Sequence, residues 1–143
     1  MPREKISKII ALASALTGIL VMLVPRYIFP VCQFYGRFIE TKAGKLIPMR
    51  CFYTAQAELA VGAVIFFSAL ALIFARQAET RKTVSMILVL LGLVVIFLPA
   101  LLIGVCKDPS MPCHAGTLPA LTILGGALVI LSLLGAYLAR ERR

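Results

Sequence analysis

The chain has no tryptophan, a single histidine and only six acidic residues among its 143 positions. It also lacks a Ser-His-Asp set, paired carboxylates and a glycine-rich phosphate loop. These absences argue against hydrolysis and phosphoryl transfer, because both reactions need such groups held together. Cys-x-x-Cys-His does not occur either, which disfavours a c-type haem.

Apolar residues, by contrast, make up 61% of the chain, and the mean hydropathy is +0.98. A soluble domain of this size could not bury so much apolar surface, because small folds leave much of their area exposed. A bilayer core needs about 20 apolar residues per helix. We therefore predict an all-α membrane protein with one domain over residues 1–143. Its four transmembrane helices are predicted at about 7–29, 54–75, 83–105 and 118–139, and the first is expected to remain uncleaved.

The net charge of +9 comes from basic residues at the edges of the apolar stretches. This placement is typical of topology signals and lipid contacts, so nucleic acid is not an expected partner. Nine of the 15 basic residues lie in the two termini and the short middle loop. The bias predicts cytoplasmic termini and extracytoplasmic cysteine loops, in the inner membrane of a prokaryote.

The two halves of the sequence resemble each other, at about 6–76 and 80–140. Each half would be a helical hairpin, and parallel repeats predict a pseudo-twofold axis along the membrane normal. Five glycines are expected to permit close helix contacts: Gly18, Gly62, Gly92, Gly125 and Gly126. The matched segments are PRYIFPVC with PALLIGVC (25–32 and 99–106), Met-x-Cys at 49–51 and 111–113, and GAVIFFSALALIFAR with GALVILSLLGAYLAR (62–76 and 126–140).

The four cysteines, Cys32, Cys51, Cys106 and Cys113, border the two predicted outer loops. Cysteines in such positions are typical of disulfides in an oxidising compartment. Three connectivities are possible, and the repeat favours Cys32–Cys51 with Cys106–Cys113. The preferred interpretation is that these bonds only hold the loops. The alternative is disulfide exchange with a quinone or a soluble partner, although the usual Cys-x-x-Cys motif is absent.

A third interpretation of the same region is a metal site. Thioether, thiolate and imidazole ligands at one level of the membrane would suit Cu(I). Methionine is also common apolar filler, and Phe52 stands in the first motif where the second has histidine. Copper is the one metal considered, and no other cofactor is expected. The candidate ligands are Met49, Cys51, Met111, Cys113 and His114.

Glu58 is the one acidic residue within a predicted span. Carboxyl groups at that depth are costly and tend to be functional. With Thr54 and Gln56 it forms a candidate intramembrane polar site, and Thr54 shares its helix face. The alternative is an interfacial glutamate that reaches water.

Most aromatic residues gather around the first outer loop. They predict either an interfacial aromatic belt or a docking surface for a partner. The docking candidates are Phe34, Tyr35, Phe38, Phe52 and Tyr53.

The cysteine motifs of the chain belong to a longer pattern: Met-Arg-Cys51 with Thr54, Gln56 and Glu58, then Cys106, then Met-Pro-Cys113-His114-x-Gly-Thr117. This pattern resembles a family of small bacterial and archaeal membrane proteins, domain of unknown function 4418. The resemblance covers nearly the whole chain and implies the same fold. Members occur beside ABC-type export systems, which implies an accessory subunit. Members often have histidine after the first Met-x-Cys, and Phe52 at this place argues against a symmetric metal site.

The leading functional hypothesis is a non-catalytic accessory or structural subunit of a membrane complex, with an ABC-type exporter as the candidate complex. Its partners would be the lipid bilayer and other membrane subunits. One alternative is an extracytoplasmic thiol–disulfide or copper-handling protein. The other is a self-assembling membrane oligomer. The apolar spans and the missing catalytic groups make an enzymatic role the less favoured expectation.

Overall fold

The computed structural model of the protein describes residues 2–32, 39–75, 77–108, 110–111 and 113–140. Its architecture is helical, as predicted, apart from one short β-hairpin. Three π-helical segments lie at one end of the helices: π1 and π2 continue α1 and α3, and π3 precedes α4. The helices are α1 (Pro2–Leu23), α2 (Arg50–Phe74), α3 (Ala78–Phe97) and α4 (Leu118–Arg140), and the π segments are π1 (Val24–Ile28), π2 (Leu98–Leu102) and π3 (Cys113–Thr117).

Among the described residues, four continuous segments are long and apolar enough to cross a membrane, which agrees with the predicted number of spans. The last three begin four or five residues earlier than predicted. Hydropathy detects only the apolar middle of a helix, whereas the backbone hydrogen bonds continue into its polar first turn. The segments are Lys5–Ile28, Arg50–Phe74, Ala78–Leu102 and Cys113–Ala139.

The outward faces of the four helices are apolar. Large side chains such as Leu12, Phe67 and Leu101 are exposed along them, whereas the hydroxyl of Ser14 and the carboxyl of Glu58 are buried. Hydrocarbon stabilises this distribution, because polar groups within a bilayer avoid lipid and face the interior of the protein. The chain is therefore a multi-pass membrane protein.

The helices pack chiefly as two pairs, α1 with α2 and α3 with α4, and contacts of α1 with α4 and of α2 with α3 complete the bundle. Each pair makes a close approach at two glycines. A Cβ atom added to Gly62 would lie 2.9 Å from the Gly18 carbonyl oxygen, and one added to Gly125 would lie 2.8 Å from that of Gly92. A Cβ added to Gly126 would meet open space, so the prediction was wrong for Gly126.

Prolines account for the π-helical ends of α1 and α3. Pro25 and Pro99 have no backbone N–H, so the α-helical hydrogen bond to the carbonyl four residues earlier cannot form there. The chain widens instead, and the N–H of Phe29 donates to the Val24 carbonyl over 2.8 Å. In the other half, the N–H of Ile103 donates to the Leu98 carbonyl over 3.1 Å. Both chain segments leave their helices here and lead directly to a cysteine.

A short hairpin in the loop between α1 and α2 was not predicted. Strand β1 (Ile39–Glu40) pairs antiparallel with β2 (Leu46–Ile47). The turn between them contains Gly44 with φ +72°, a conformation that favours glycine. With two residues per strand, the hairpin has too little periodicity for sequence detection.

Candidate metal centre

The four cysteines come from the four helix ends on one side of the bundle. Cys32 follows π1 and Cys106 follows π2, while Cys51 lies in the first turn of α2 and Cys113 begins π3. Three of them are completely buried, and Cys106 is partly exposed. The sequence suggested two separate loops with two cysteines each. In the structure, the four thiols, one from each helix end, lie together at one end of the bundle.

The sulfur atoms form one compact group in which all four Sγ atoms lie within 4.8 Å of one another. Cys32 Sγ lies 3.2 Å from Cys113 Sγ. Cys106 Sγ lies 3.8 Å from Cys32 Sγ and 3.8 Å from Cys51 Sγ. A tetrahedral ion with metal–sulfur bonds of about 2.3 Å separates its ligand sulfurs by about 3.8 Å. The cluster therefore has the size of a four-thiolate metal site.

All four cysteines are free thiols. A disulfide would require two sulfurs at about 2.05 Å, well below the shortest sulfur contact here. The 3.2 Å and 3.8 Å contacts of Cys32 with Cys113 and of Cys51 with Cys106 connect the two halves of the chain. The predicted pairs Cys32–Cys51 and Cys106–Cys113 lie within the same cluster, and that pairing stays a prediction.

Two methionine sulfurs contact the thiols, also from the opposite half of the chain. Met111 Sδ lies 3.5 Å from Cys32 Sγ, and Met49 Sδ lies 3.9 Å from Cys106 Sγ. The predicted Met-x-Cys motifs thus contribute both of their sulfurs to this region. Four thiol and two thioether sulfurs thus lie together, and such soft donor atoms suit thiophilic ions.

His114 lies beside the cluster, and a contact of its ring with the backbone of Cys106 positions it. Its Nδ1 atom is 3.1 Å from the carbonyl oxygen of Cys106. A carbonyl oxygen can only accept, so this contact assigns the ring proton to Nδ1. In the neutral ring Nε2 then has a free lone pair, which is the form of histidine that binds metals.

Two threonines, which the sequence pattern did not link to each other, hold the cysteine segments, the stretches of chain that lead from π1 to Cys32 and from π2 to Cys106. Thr54 Oγ1 donates to the Gly104 carbonyl over 2.8 Å, two residues before Cys106. Thr117 Oγ1 donates to the Phe29 carbonyl over 2.9 Å. Each hydroxyl thus satisfies a carbonyl that the end of a π-helix leaves without a helical partner. The signal in the sequence is a threonine at or near the first helical turn after each Met-x-Cys.

The electrostatic surroundings keep two of the unliganded thiols, those of Cys32 and Cys106, neutral. Burial, followed by the neighbouring Cys113 thiol, raises the pKa of Cys32 to about 12 and that of Cys106 also to about 12. Both sulfurs are therefore protonated at neutral pH until a cation replaces the protons. Cys51 and Cys113 lie in first helical turns, where the helix dipole favours the negative charge of a metal–thiolate group.

A surface pocket opens onto the cluster beside Cys106. Among the described residues that line it, Cys106 is the one cysteine, and all the non-cysteine candidate ligands line it too. The pocket wall also carries charged side chains from both cysteine segments. The residues that matter for chemistry are Met49, Met111, His114, Arg50, Lys107 and Asp108.

The predicted intramembrane polar site does not form one group. Thr54 and Glu58 are buried on the inner face of α2, whereas Gln56 is exposed on the other side. The carboxyl oxygens of Glu58 have no hydrogen-bond partner among the described residues. The residue does not reach water at the membrane surface, because its exposed fraction is 0%.

The predicted aromatic docking surface falls mostly outside the described residues, which exclude Phe34, Tyr35 and Phe38. Phe52 is half-buried and Tyr53 is exposed. Their rings meet edge to face with centroids 5.8 Å apart.

Fold and site together define a class of protein: a multi-pass helical membrane protein with a cluster of four cysteines at one end of its bundle. A family model described as a domain of unknown function, 4418, matches residues 14–138, and the chain belongs to this family. No curated protein and no solved structure matches the chain.

Proposed function

We propose that the protein is a membrane-anchored binding protein for a thiophilic metal ion, which its four cysteines hold at the extracytoplasmic end of the bundle. The observation that carries the proposal is the approach of four Sγ atoms to within 4.8 Å, one from each helix end. Four ligands of this kind complete a tetrahedral coordination shell.

Burial supports a metal rather than four free thiols. Cys32, Cys51 and Cys113 are completely buried, so their reactivity toward a soluble disulfide is restricted. The raised pKa of Cys32 also keeps this thiol protonated at neutral pH, which makes it a poor nucleophile for disulfide exchange. A thiophilic cation replaces the thiol protons and compensates the charge of the thiolates, which accounts for placing four of them together.

The location and symmetry of the site belong to the same proposal. The excess of basic residues at the termini and in the middle loop supports an extracytoplasmic cluster in a prokaryotic inner membrane. Equivalent contacts at Gly62 and Gly125 support a repeat. Thr54 follows Cys51 by three residues, whereas Thr117 follows Cys113 by four. The second half thus has one extra residue, which the π-helical turn of π3 accommodates. The repeat would therefore match Gly62 with Gly125, one position from the match given by residue identity.

The experiment is metal analysis of the full chain, purified anaerobically in detergent. We expect about one thiophilic ion per chain after loading, together with four thiols that become titratable when the ion is removed. Cys32→Ser and Cys113→Ser should lose most of the bound metal, whereas Ser110→Ala, an exposed change in the same loop, should retain it. Reduced protein that binds neither Cu(I) nor Zn(II) would contradict the proposal.

The hypotheses of an accessory subunit, with an ABC-type exporter as candidate complex, and of a self-assembling oligomer stay predictions. Both are compatible with metal binding, since a subunit can carry its own metal site. Mass measurement in native nanodiscs would distinguish a single chain from an oligomer or a complex.

A further inference from the structure

The four cysteines of the cluster differ in their exposure to solvent. A metal site with a purely structural role does not need such a difference. In structural four-thiolate sites four protein ligands fill the coordination shell and no position is left for exchange. Here Cys106 is partly exposed and lines the surface pocket, while the other three cysteines are completely buried. The cluster therefore has one side that a dissolved ligand can approach.

We propose that the bound ion is Cu(I) and that it is exchanged with soluble carriers through this pocket, with Met49, Met111 and His114 as transfer ligands. This inference rests on the proposed function and adds the identity of the ion and its route. The three residues and Cys106 are lining residues of one pocket.

The donor atoms favour Cu(I) over Zn(II). Thioether sulfur is a ligand for Cu(I), whereas protein zinc sites use thiolate, imidazole and carboxylate. Both methionine sulfurs contact thiols of the cluster, Met111 at 3.5 Å from Cys32 and Met49 at 3.9 Å from Cys106. An ion can thus move from a thiolate to a thioether by a displacement of a few ångströms.

The transfer is a ligand exchange in which copper stays Cu(I). During loading, the ion forms a bond to a thioether or to His114, and its bond to the carrier breaks. It then bonds to Cys106 and to the buried thiols, its bond to the thioether or to His114 breaks, and each thiol that binds releases one proton to water. Unloading reverses these steps. The contact of His114 Nδ1 with the Cys106 carbonyl leaves Nε2 as the atom available for copper.

The rim of the pocket suits a carrier that presents copper on negatively charged ligands. Arg50 and Lys107 are exposed and line the pocket, and one exposed carboxylate, Asp108, accompanies them. Opposite charges raise the rate of encounter more than the final affinity. The chemistry that this pocket recognises is therefore an anionic complex of Cu(I) with soft donors.

The experiment measures transfer of Cu(I) from the loaded, detergent-solubilised full chain to bathocuproine disulfonate, an anionic chelator whose cuprous complex is coloured. We expect the Met49→Leu/Met111→Leu/His114→Phe variant to transfer copper at least tenfold more slowly than the wild type, with the same copper content. Leucine matches methionine in volume, and phenylalanine is the residue that the first motif has at this place. Met86→Leu, an exposed change on α3, should transfer at the wild-type rate.

A second measurement does not depend on a variant. Limited alkylation of the reduced, metal-free chain with a water-soluble maleimide should modify Cys106 before the other three cysteines, and bound Cu(I) should protect it. Equal labelling of all four cysteines would overturn the route through the pocket, and so would an unchanged transfer rate in the triple variant. Retention of Zn(II) in an equimolar competition with Cu(I) would overturn the identity of the ion. These results leave the proposed function intact, whereas failure to bind any thiophilic ion would refute both.

Discussion

Thr117, in the last position of π3, donates a hydrogen bond of 2.9 Å to the carbonyl oxygen of Phe29, directly after π1. The two residues belong to different halves of the chain, and Phe29 lies three residues before Cys32. The hydroxyl of Thr117 is completely buried, so water does not compete for this carbonyl. The bond fixes the position of the Cys32 segment against α4, and Thr54 does the same for the Cys106 segment through Gly104.

The first prediction concerns this bond. Thr117→Val keeps the shape of the side chain but leaves the Phe29 carbonyl without its donor, which should lower the free energy of unfolding by about 1–3 kcal/mol. Thermal unfolding in detergent measures the change. Thr122→Val is the matched control, because Thr122 is exposed and bonds only within its own helix to Leu118. If both variants unfold at the same temperature, the interhelical bond does not contribute to stability.

The second prediction concerns two glycines on different helices and in different surroundings, Gly62 on α2 and Gly126 on α4. Gly62→Ala would place a Cβ 2.9 Å from the backbone oxygen of Gly18, which cannot move aside without separating α1 from α2. We expect destabilisation of about 1–3 kcal/mol. Gly126→Ala meets open space and should be neutral or slightly stabilising. Denaturation of both variants in the same detergent decides the matter, and equal effects would contradict the described packing of α1 on α2.

The spans could be predicted from sequence because the length of an apolar segment must match the thickness of the hydrocarbon core. The cysteine cluster could not be predicted in this way. Its formation depends on where Pro25 and Pro99 open the helices into π turns, and on hydrogen bonds such as that of Thr54 to Gly104. These interactions join the halves, whereas the repeat in the sequence suggested that each half would bond within itself. The motif residues Met49 and Met111 were identified, but not their contacts with cysteines of the opposite half.

The third prediction follows from the protonation of the thiols. Burial raises the pKa of Cys32 and of Cys106 to about 12, so both carry protons at neutral pH, and a bound ion must displace them. Metal affinity should therefore increase as the pH rises, by about tenfold per pH unit for each proton released. Competition with a chelator between pH 6 and 8, corrected for protonation of the chelator, measures this slope. An affinity that does not change with pH would mean that protonated thiols are not the ligands.

The fourth prediction concerns Glu58, whose carboxyl is completely buried in α2 without a hydrogen-bond partner among the described residues. A buried polar group of this kind costs about 1–3 kcal/mol, so Glu58→Leu should raise the free energy of unfolding by a similar amount. Leucine is the choice because Leu121, which follows Thr117 by four residues as Glu58 follows Thr54, is also completely buried.

Glu58→Gln is the control for this prediction, because glutamine keeps the hydrogen-bonding demand and should bring no gain in stability. Thermal unfolding and copper loading of both variants belong to one experiment. A more stable Glu58→Leu variant that loads copper normally would mean that the carboxyl has no role in binding. Loss of stability in Glu58→Leu would mean that the carboxyl has a favourable partner in the membrane, since removing an unpaired group cannot cost the fold a hydrogen bond. Proteins tend to keep a destabilising buried carboxyl where it serves a function. If Glu58→Leu is more stable than the wild type, this variant should therefore also be tested for loss of function.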